Sequence, residues 1–230
     1  FRTLDAQIAD ARTDVNRRLE SAVAGVNSIA ERIADLNDRI VAARGTGSRI
    51  QEPNDLLDQR DALVRELGGL VRATVVPQDD GSYNVFIGTG QALVVRDQAN
   101  ALVTVPTLEN PAELDVGMRG SAGSTLRFRP QDLAGGEVGG LLAVRGELLD
   151  GAQNALGRIA IGLAQAVNDQ HRLGQDLTGA LGQAFFAFTG PQVLPNTGNT
   201  GGATLTATLA NPSALTTSDY RVRWTGAAYT

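Results

Sequence analysis

Residues 15–44 read VNRRLESAVAGVNSIAERIADLNDRIVAAR and carry apolar side chains alternately four and three positions apart. This heptad spacing lines the apolar residues along one side of a helix that packs against a partner. Residues 1–44 contain no proline, so the pattern predicts one long helix over that range. The stripe is Val15, Leu19, Ala22, Val26, Ile29, Ile33, Leu36, Ile40 and Ala43, with Val26, Ile29, Ile33, Leu36 and Ile40 as its expected packing core.

A second helix is predicted to fold back on the first and to complete a helical hairpin within residues 1–71. The run 45–48, GTGS, is expected to end the first helix, and Pro53 precedes the start of the second. Asn54 is the expected N-cap, and Asp55 favours the positive end of the helix dipole. The expected packing residues are Leu56, Leu63 and Leu67.

Residues 72–134 change to short β-branched runs separated by turn residues. The sequences DDG at 79–81 and GTG at 88–90 are typical of hairpin turns. This stretch therefore predicts a small antiparallel β-unit inserted between the second and third helices. The candidate strands are 72–77, 83–87, 91–96, 101–105, 114–118 and 125–129.

A third long helix is predicted within residues 135–176, where three 11-residue segments resemble one another: GLLAVRGELLD, GAQNALGRIAI and GLAQAVNDQHR. An 11-residue period keeps a helix nearly straight. Its expected core residues are Leu141, Leu148, Ile159 and Leu163.

Glycines recur along this third helix, and each costs about 1 kcal/mol relative to alanine in a helix interior. Close approach of a neighbouring helix backbone is the expected compensation. Whether that neighbour belongs to the same chain or to another subunit stays open, so Gly151 and Gly162 are candidate interface residues. The recurrent glycines are Gly140, Gly146, Gly151, Gly157 and Gly162.

Residues 177–230 are rich in Gly, Thr and Asn and are expected to form a linker at 191–202 and the beginning of a further β-domain. The candidate strands here are 204–209 and 220–224, followed by a turn at 225–227. The predicted class is therefore α+β: a long helical bundle or coiled-coil rod with an inserted antiparallel β-unit and the start of an outer β-domain.

The composition argues against most chemistry. The 230-residue chain has a net charge of −5, which argues against a nucleic-acid partner, and all 20 basic residues are Arg. Without Cys there is no thiolate, and a single His171 leaves a metal site with carboxylates alone. No apolar run reaches the length of a membrane span. We therefore expect no enzyme, cofactor, metal or membrane partner.

A charged cluster on the second helix has two interpretations. Asp58, Arg60 and Asp61, with the nearby Arg65 and Glu66, could form surface ion pairs at three- and four-residue spacing. Alternatively, Asp58, Arg60 and Asp61 could take part in a subunit interface.

Three segments resemble the hook-associated protein 1 family of bacterial flagella. They are PNDLLDQRDALVREL at 53–67, DDGSYNVFIGTGQALVV at 79–95 and GGEVGGLLAVRGELLDGAQNALGRIAIGLAQAVNDQHRLGQDLTG at 135–179. A fourth segment, 213–220, is similar to the start of that family's outer β-domain. Their order and spacing agree over most of the chain.

The resemblance implies a structural protein that self-assembles into a ring at the junction between hook and filament. It implies export through the flagellar type III apparatus to an extracellular location, with the hook protein, a second junction protein and an export chaperone as partners. The family's terminal helices and chaperone-binding region are not expected in this sequence. The alternative from the residues alone is a generic coiled-coil scaffold or an adhesin-like surface protein.

Overall fold

A computed structural model describes residues 1–45, 53–120, 123–187, 190–226 and 228–230. Long helices and antiparallel sheets make it an α+β structure. The chain forms two compact units: an insert-bearing unit of residues 13–144, and an α4 unit of residues 1–12 and 145–230. The predicted hairpin (1–71), β-unit (72–134), third helix (135–176) and tail (177–230) are therefore grouped differently, because both the first and the third helical segments are divided between the units.

Helix α1, Arg2–Gly45, follows the heptad stripe. The stripe is fully buried at Val26, Ile33 and Ile40, each with no exposed surface. Burial of each such side chain contributes about 1.5–3 kcal/mol. The buried apolar residues of α1 are Val15, Leu19, Ala22, Val23, Val26, Ile29, Ala30, Ile33, Ala34, Leu36 and Ile40.

Helix α2, Asn54–Leu70, begins one residue earlier than the sequence indicated. Asn54 is its first helical residue, and Pro53 occupies the N-cap position without a side-chain cap. The carbonyl of Pro53 accepts from the backbone N–H of Leu56 and Leu57 at 3.0 and 3.1 Å. The predicted Asn54 cap is therefore wrong. The predicted helix breaker at 46–48 lies outside the described residues.

The face that α2 buries consists of Arg60, Leu63 and Leu67, while Leu56 is half-buried. Leucine and arginine thus share the buried side of this helix.

Residues 72–134, called the β-insert from here on, form two antiparallel sheets rather than one unit. Four strands pair in sequence order in the first sheet and three in the second. The fourth strand of the first sheet is short, and the sequence pattern did not predict it. The strands are β1 Ala73–Pro77, β2 Tyr83–Ile87, β3 Gln91–Val95 and β4 Gln98–Ala99, then β5 Leu102–Pro106, β6 Leu114–Arg119 and β7 Thr125–Arg127.

The β-insert buries an aliphatic face of the first sheet, while β7 is exposed along its length. Val85, Ile87, Leu93 and Val94 on β2 and β3 are each at most 2% exposed. A 3-10 turn over Pro130–Leu133 ends the insert.

The predicted continuous third helix is interrupted. Helix α3, Gly136–Ala143, leads into a π-helical stretch, Val144–Leu149, which continues into α4, Asp150–Arg172. A π turn holds more residues than an α turn, so spacings counted across it no longer keep residues on one face. The boundary between the two compact units falls at the start of this stretch, between Val144 and Arg145.

The expected core of the third helix is buried only in its first part. Leu141 is 5% exposed, but Leu148, Ile159 and Leu163 are 63%, 57% and 51% exposed, so their prediction as core residues is wrong for this chain. The periodicity correctly indicated a helix, but an apolar stripe is buried only where a partner surface covers it. Of the α4 residues, only Asn168 is buried.

The tail after α4 contains little regular structure. An isolated bridge joins Gln175 to Leu181 and another joins Trp224 to Tyr229. The predicted strand at 204–209 does not form, and the predicted strand at 220–224 is reduced to the bridge at Trp224, beside which Arg223 and Thr230 exchange two backbone hydrogen bonds. The turn at 225–227 is described except for Ala227. Within the described residues, no helix is both long and apolar enough to cross a membrane.

Truncation of a buried stripe residue should destabilise the insert-bearing unit. We expect Leu19→Ala to lower the free energy of unfolding by about 2–5 kcal/mol, because it removes a fully buried side chain and leaves a cavity. The matched control is Leu126→Ala in β7, where the side chain is exposed and a change within about 0.5 kcal/mol is expected. Urea unfolding measures both. Equal losses in the two variants would contradict this assignment of the core.

Candidate functional site

A buried amide joins α1 to the β-insert. The Asn37 side chain on α1 is fully buried, and its Nδ2 donates to the backbone oxygens of Tyr83 and Arg96 at 2.8 and 2.7 Å. Its Oδ1 accepts from the Tyr83 backbone N–H at 2.9 Å and from Arg60 at 3.1 Å. All four hydrogen-bonding positions of the amide are therefore occupied.

A buried arginine on α2 completes this cluster. Arg60 is 2% exposed, and its Nη1 donates to Asn37 Oδ1 and, at 2.7 Å, to the Gly81 backbone oxygen. Its guanidinium carbon lies 3.4 Å from the centre of the Tyr83 ring, a cation–π geometry. We call Asn37, Arg60, Gly81 and Tyr83 the amide–arginine cluster. It links both helices to the first sheet.

Burial is the main influence on the pKa of Arg60. Removal from water lowers the pKa of Arg60 from its ordinary value, and the interactions with Tyr83 oppose that change. The Nε atom of Arg60 is buried without a hydrogen-bond partner among the described residues. The carbonyl oxygens and the aromatic face therefore hold this cation in place without a carboxylate hydrogen-bonded to it in the cluster.

The DDG turn shapes the carbonyl that Arg60 contacts. Asp80 Oδ1 accepts from the Ser82 hydroxyl at 2.6 Å and from the Ser82 backbone N–H at 2.9 Å, and these bonds lower the pKa of Asp80. Gly81 has φ of +88°, and a Cβ there would collide with the Arg44 guanidinium. The turn thus favours glycine for its backbone conformation, whereas the Arg44 side chain is exposed and can move away.

Two further asparagines of α1 bind the backbone of the second sheet. Asn27 donates to the Leu102 oxygen at 2.9 Å and accepts from the Leu102 N–H at 2.8 Å. Asn16 donates to the Ala112 oxygen at 2.8 Å and accepts from the Leu114 N–H at 3.2 Å. Asn27 therefore satisfies the backbone N–H and oxygen of Leu102 on the outer edge of β5, which would otherwise be free.

The α4 unit repeats this arrangement. Asn168 donates to the Phe186 oxygen at 2.9 Å and accepts from the Phe186 N–H at 2.8 Å. Asn154 donates to the Thr217 oxygen and to the Asp219 carboxylate. Amides on α4 thus hold the irregular segments that follow it.

The single histidine also binds the segment that follows α4. His171 Nδ1 lies 2.6 Å from the Gln183 backbone oxygen, and its ring lies 5.7 Å from the Phe185 ring. Because a carbonyl oxygen only accepts, Nδ1 carries the proton in this contact. The geometry at His171 is that of a structural hydrogen bond.

Comparison with known proteins identifies the family. The family model described as the flagellar hook-associated protein FlgK helical domain matches residues 1–186. The chain belongs to this family. Flagellar hook-associated protein 1 of Escherichia coli K12 is 37% identical over 222 residues, covering 96% of this chain and 40% of that protein. The Salmonella typhimurium LT2 protein of the same name is 37% identical over 98% of this chain and 41% of its own length.

A solved structure agrees with this relationship. The flagellar hook junction protein FlgK from Burkholderia pseudomallei matches with a TM-score of 0.90 and 39% sequence identity, over 99% of this chain and 41% of that one. This FlgK-family chain therefore spans about two fifths of the length of the relatives it matches.

The candidate interface residues on α2 of this family member differ in exposure. Asp58 and Asp61 are exposed on α2, whereas Arg60 belongs to the buried amide–arginine cluster, so its assignment to a subunit interface is wrong. The spacing of charges along a helix cannot distinguish an exposed arginine from one that meets buried carbonyl oxygens.

The repeat glycines have open space at their Cα atoms among the described residues. A Cβ added at Gly140, Gly146, Gly151, Gly157 or Gly162 would meet no atom within 4 Å. The expected close backbone approach is therefore wrong for intramolecular packing. Gly151 and Gly162 stay candidates for contact with another molecule.

The described residues contain no group of three or more His, Cys, Asp or Glu side chains placed to hold a metal ion. A surface cavity of about 510 Å³ is lined in part by Arg72, Thr74, Phe86 and Gln131. A second concavity, of about 390 Å³, carries the four carboxylates Glu31, Asp35, Asp38 and Asp97. Neither concavity presents a convergent set of reactive groups.

Sequence reasoning missed the asparagines. A detectable signal was present, because Asn16, Asn27 and Asn37 recur at intervals of 11 and 10 residues, close to three helical turns, within a helix where asparagine has poor propensity. Asparagines that recur at this interval in a long helix indicate that their side-chain amides hydrogen-bond to another element.

Removal of Arg60 should destabilise the unit far more than removal of an exposed arginine on the same helix. We expect Arg60→Ala to lower the free energy of unfolding by about 2–4 kcal/mol, since two charge-assisted hydrogen bonds and a cation–π contact are lost. The control, Arg65→Ala, should change it by no more than about 0.5 kcal/mol. Chemical denaturation of both variants measures the difference, and similar effects would show that Arg60 is not structurally distinct.

Proposed function

We propose that this chain is part of a structural component of the bacterial flagellum that acts at the junction between hook and filament. The family match and the 0.90 TM-score to a hook junction protein support this role most strongly. A generic scaffold or adhesin would not account for agreement over 99% of the chain. The role is mechanical and non-enzymatic in this proposal.

The full-length protein is proposed to assemble as a ring of identical subunits outside the cell, after export through the flagellar apparatus. Its partners would be the hook protein on one side and the second hook-associated junction protein on the other, with an export chaperone before secretion. The names of the relatives, hook-associated protein and hook junction protein, support contact with the hook.

Complementation tests this function. The full-length protein containing this chain should restore filament attachment to cells that lack their own hook-associated protein 1, as counted by electron microscopy of flagella. Secretion into the medium is measured in parallel. Normal secretion with continued filament loss would contradict a junction role, whereas absent secretion would direct the test to purified hooks and added protein.

Within this function, we propose that the exposed side of α4 contacts another part of the assembled flagellum. Ile159 and Leu163 on α4, and Leu148 in the π-helical stretch before it, are all more than half exposed, and Gly151 and Gly162 have open space where a Cβ would lie. Because 11 residues span about three turns, Gly151 and Gly162 share one face of α4. Asp58 and Asp61 on α2 are proposed as peripheral polar contacts.

Filling the glycine positions separates assembly from folding. We expect Gly151→Leu with Gly162→Leu to raise the stability of the isolated chain by up to about 1 kcal/mol per site, since leucine favours helix and no atom obstructs it. Filament attachment in the complementation assay should nevertheless fall. Gly157→Leu is the matched control, because it has the same open space but lies on a different face. Full attachment in the double variant would exclude a close contact at these glycines.

A further inference from the structure

The apolar stripe of α1 does not by itself determine how far along its axis the helix sits against the β-insert. Its members are spaced by alternating fours and threes, so a shift of seven residues places each of the first seven on the position of another member. Apolar contact is non-directional and roughly proportional to buried area. A helix displaced by seven residues would therefore bury a similar stripe.

Three asparagines of α1 distinguish the native position of the helix from a position displaced by seven residues. Asn16, Asn27 and Asn37 each both donate to and accept from the insert backbone, and their spacings of 11 and 10 are not multiples of seven. A displaced helix would present other side chains at the three sites. Seven residues later these are Val23, Ala34 and Arg44, and seven residues earlier they are Ala9, Glu20 and Ala30.

We propose that these three asparagines are a register lock that fixes the axial position of α1 against the β-insert. None of the six replacements carries an amide, so displacement would leave the backbone groups of Tyr83, Leu102 and Leu114 without their partners. A buried polar residue that specifies helix register at the expense of apolar contact is an established device in coiled coils. Here the partner of the helix is strand and turn backbone, and the device makes α1 and the insert move as one body.

The lock contains one strong and two weaker elements. Asn37 is fully buried and also supports Arg60, whereas Asn16 and Asn27 are half-buried. Removal of Asn37 would disturb the amide–arginine cluster as well as the register. Asn16 and Asn27 are therefore the positions at which register can be separated from core stability.

Distances between two spin labels report the register directly. Because the chain has no cysteine, Glu20→Cys on α1 and Leu126→Cys on β7, both exposed in the structure, can be labelled without background. A seven-residue shift moves the α1 label by about 10 Å along the helix. Pulsed electron–electron double resonance on the 230-residue chain measures the distance between the two labels and resolves a change of this size. The unsubstituted background should give one distance.

The first test removes two of the three amides. We expect Asn16→Ala with Asn27→Ala to produce a second distance population, shifted from the first by up to the axial displacement of about 10 Å. Hydrogen exchange at the Leu102 and Leu114 amides should become faster, since each loses its side-chain acceptor. The matched control is Gln78→Ala with Asn100→Ala, which removes three side-chain hydrogen bonds to backbone within the insert that do not reach α1. The control should keep one distance.

The second test moves the amides without changing the composition. Exchanging Asn16 with Val23 and Asn27 with Ala34 gives Asn16→Val, Val23→Asn, Asn27→Ala and Ala34→Asn. The displaced distance should become more populated than in the double alanine variant, because two amides now favour the shifted register.

A single native distance in the folded double alanine variant would overturn the proposal, whatever its exchange rates, because apolar packing alone would then fix the register. Failure of that variant to fold would also overturn it, in favour of a general stabilising role. If the exchanged variant does not fold, the double alanine result decides. A folded exchanged variant with only the native distance would contradict the lock.

Discussion

The amide of Asn37 is the interaction on which the geometry of the insert-bearing unit depends. It lies in the space between the beginning of β2 and the residue that follows β3, where it binds two backbone oxygens and one N–H. A buried polar group left without partners costs about 1–3 kcal/mol, so any arrangement that separates α1 from these strands is penalised several times over. Apolar burial supplies most of the stability, but the direction in which the elements meet comes from this polar contact.

Arg60 extends that constraint to α2. Its hydrogen bonds to Asn37 and to the Gly81 carbonyl mean that the two helices and the DDG turn have to be assembled together. The Tyr83 ring covers the guanidinium group and supplies part of the attraction that a carboxylate would otherwise provide. A core with few aromatic residues thus uses one of them at the position where a buried cation needs it.

The two ends of the β-insert lie close together at a glycine. Gly136, at the start of α3, has φ of +66°, and a Cβ there would lie 2.6 Å from the backbone carbonyl of Leu70 at the end of α2. Closing a loop of this length costs on the order of 4 kcal/mol, which the burial of two or three leucines offsets. Close backbone approach, expected along the glycine repeat, occurs instead at positions such as this junction, where the chain enters and leaves the insert side by side.

The sequence pattern predicted the long first helix, most strand positions and the α+β class, because periodicity reflects which side of an element is buried. It could not predict the burial of Arg60 or the three asparagine contacts, since these depend on groups brought from 21 to 98 residues away along the chain. It also failed for Leu148, Ile159 and Leu163, because the same periodicity results from a core stripe and from a stripe kept for another molecule. The insert-bearing unit buries most of the apolar stripe of its long helix, whereas α4 leaves the side chains of Ile159 and Leu163 more than half exposed.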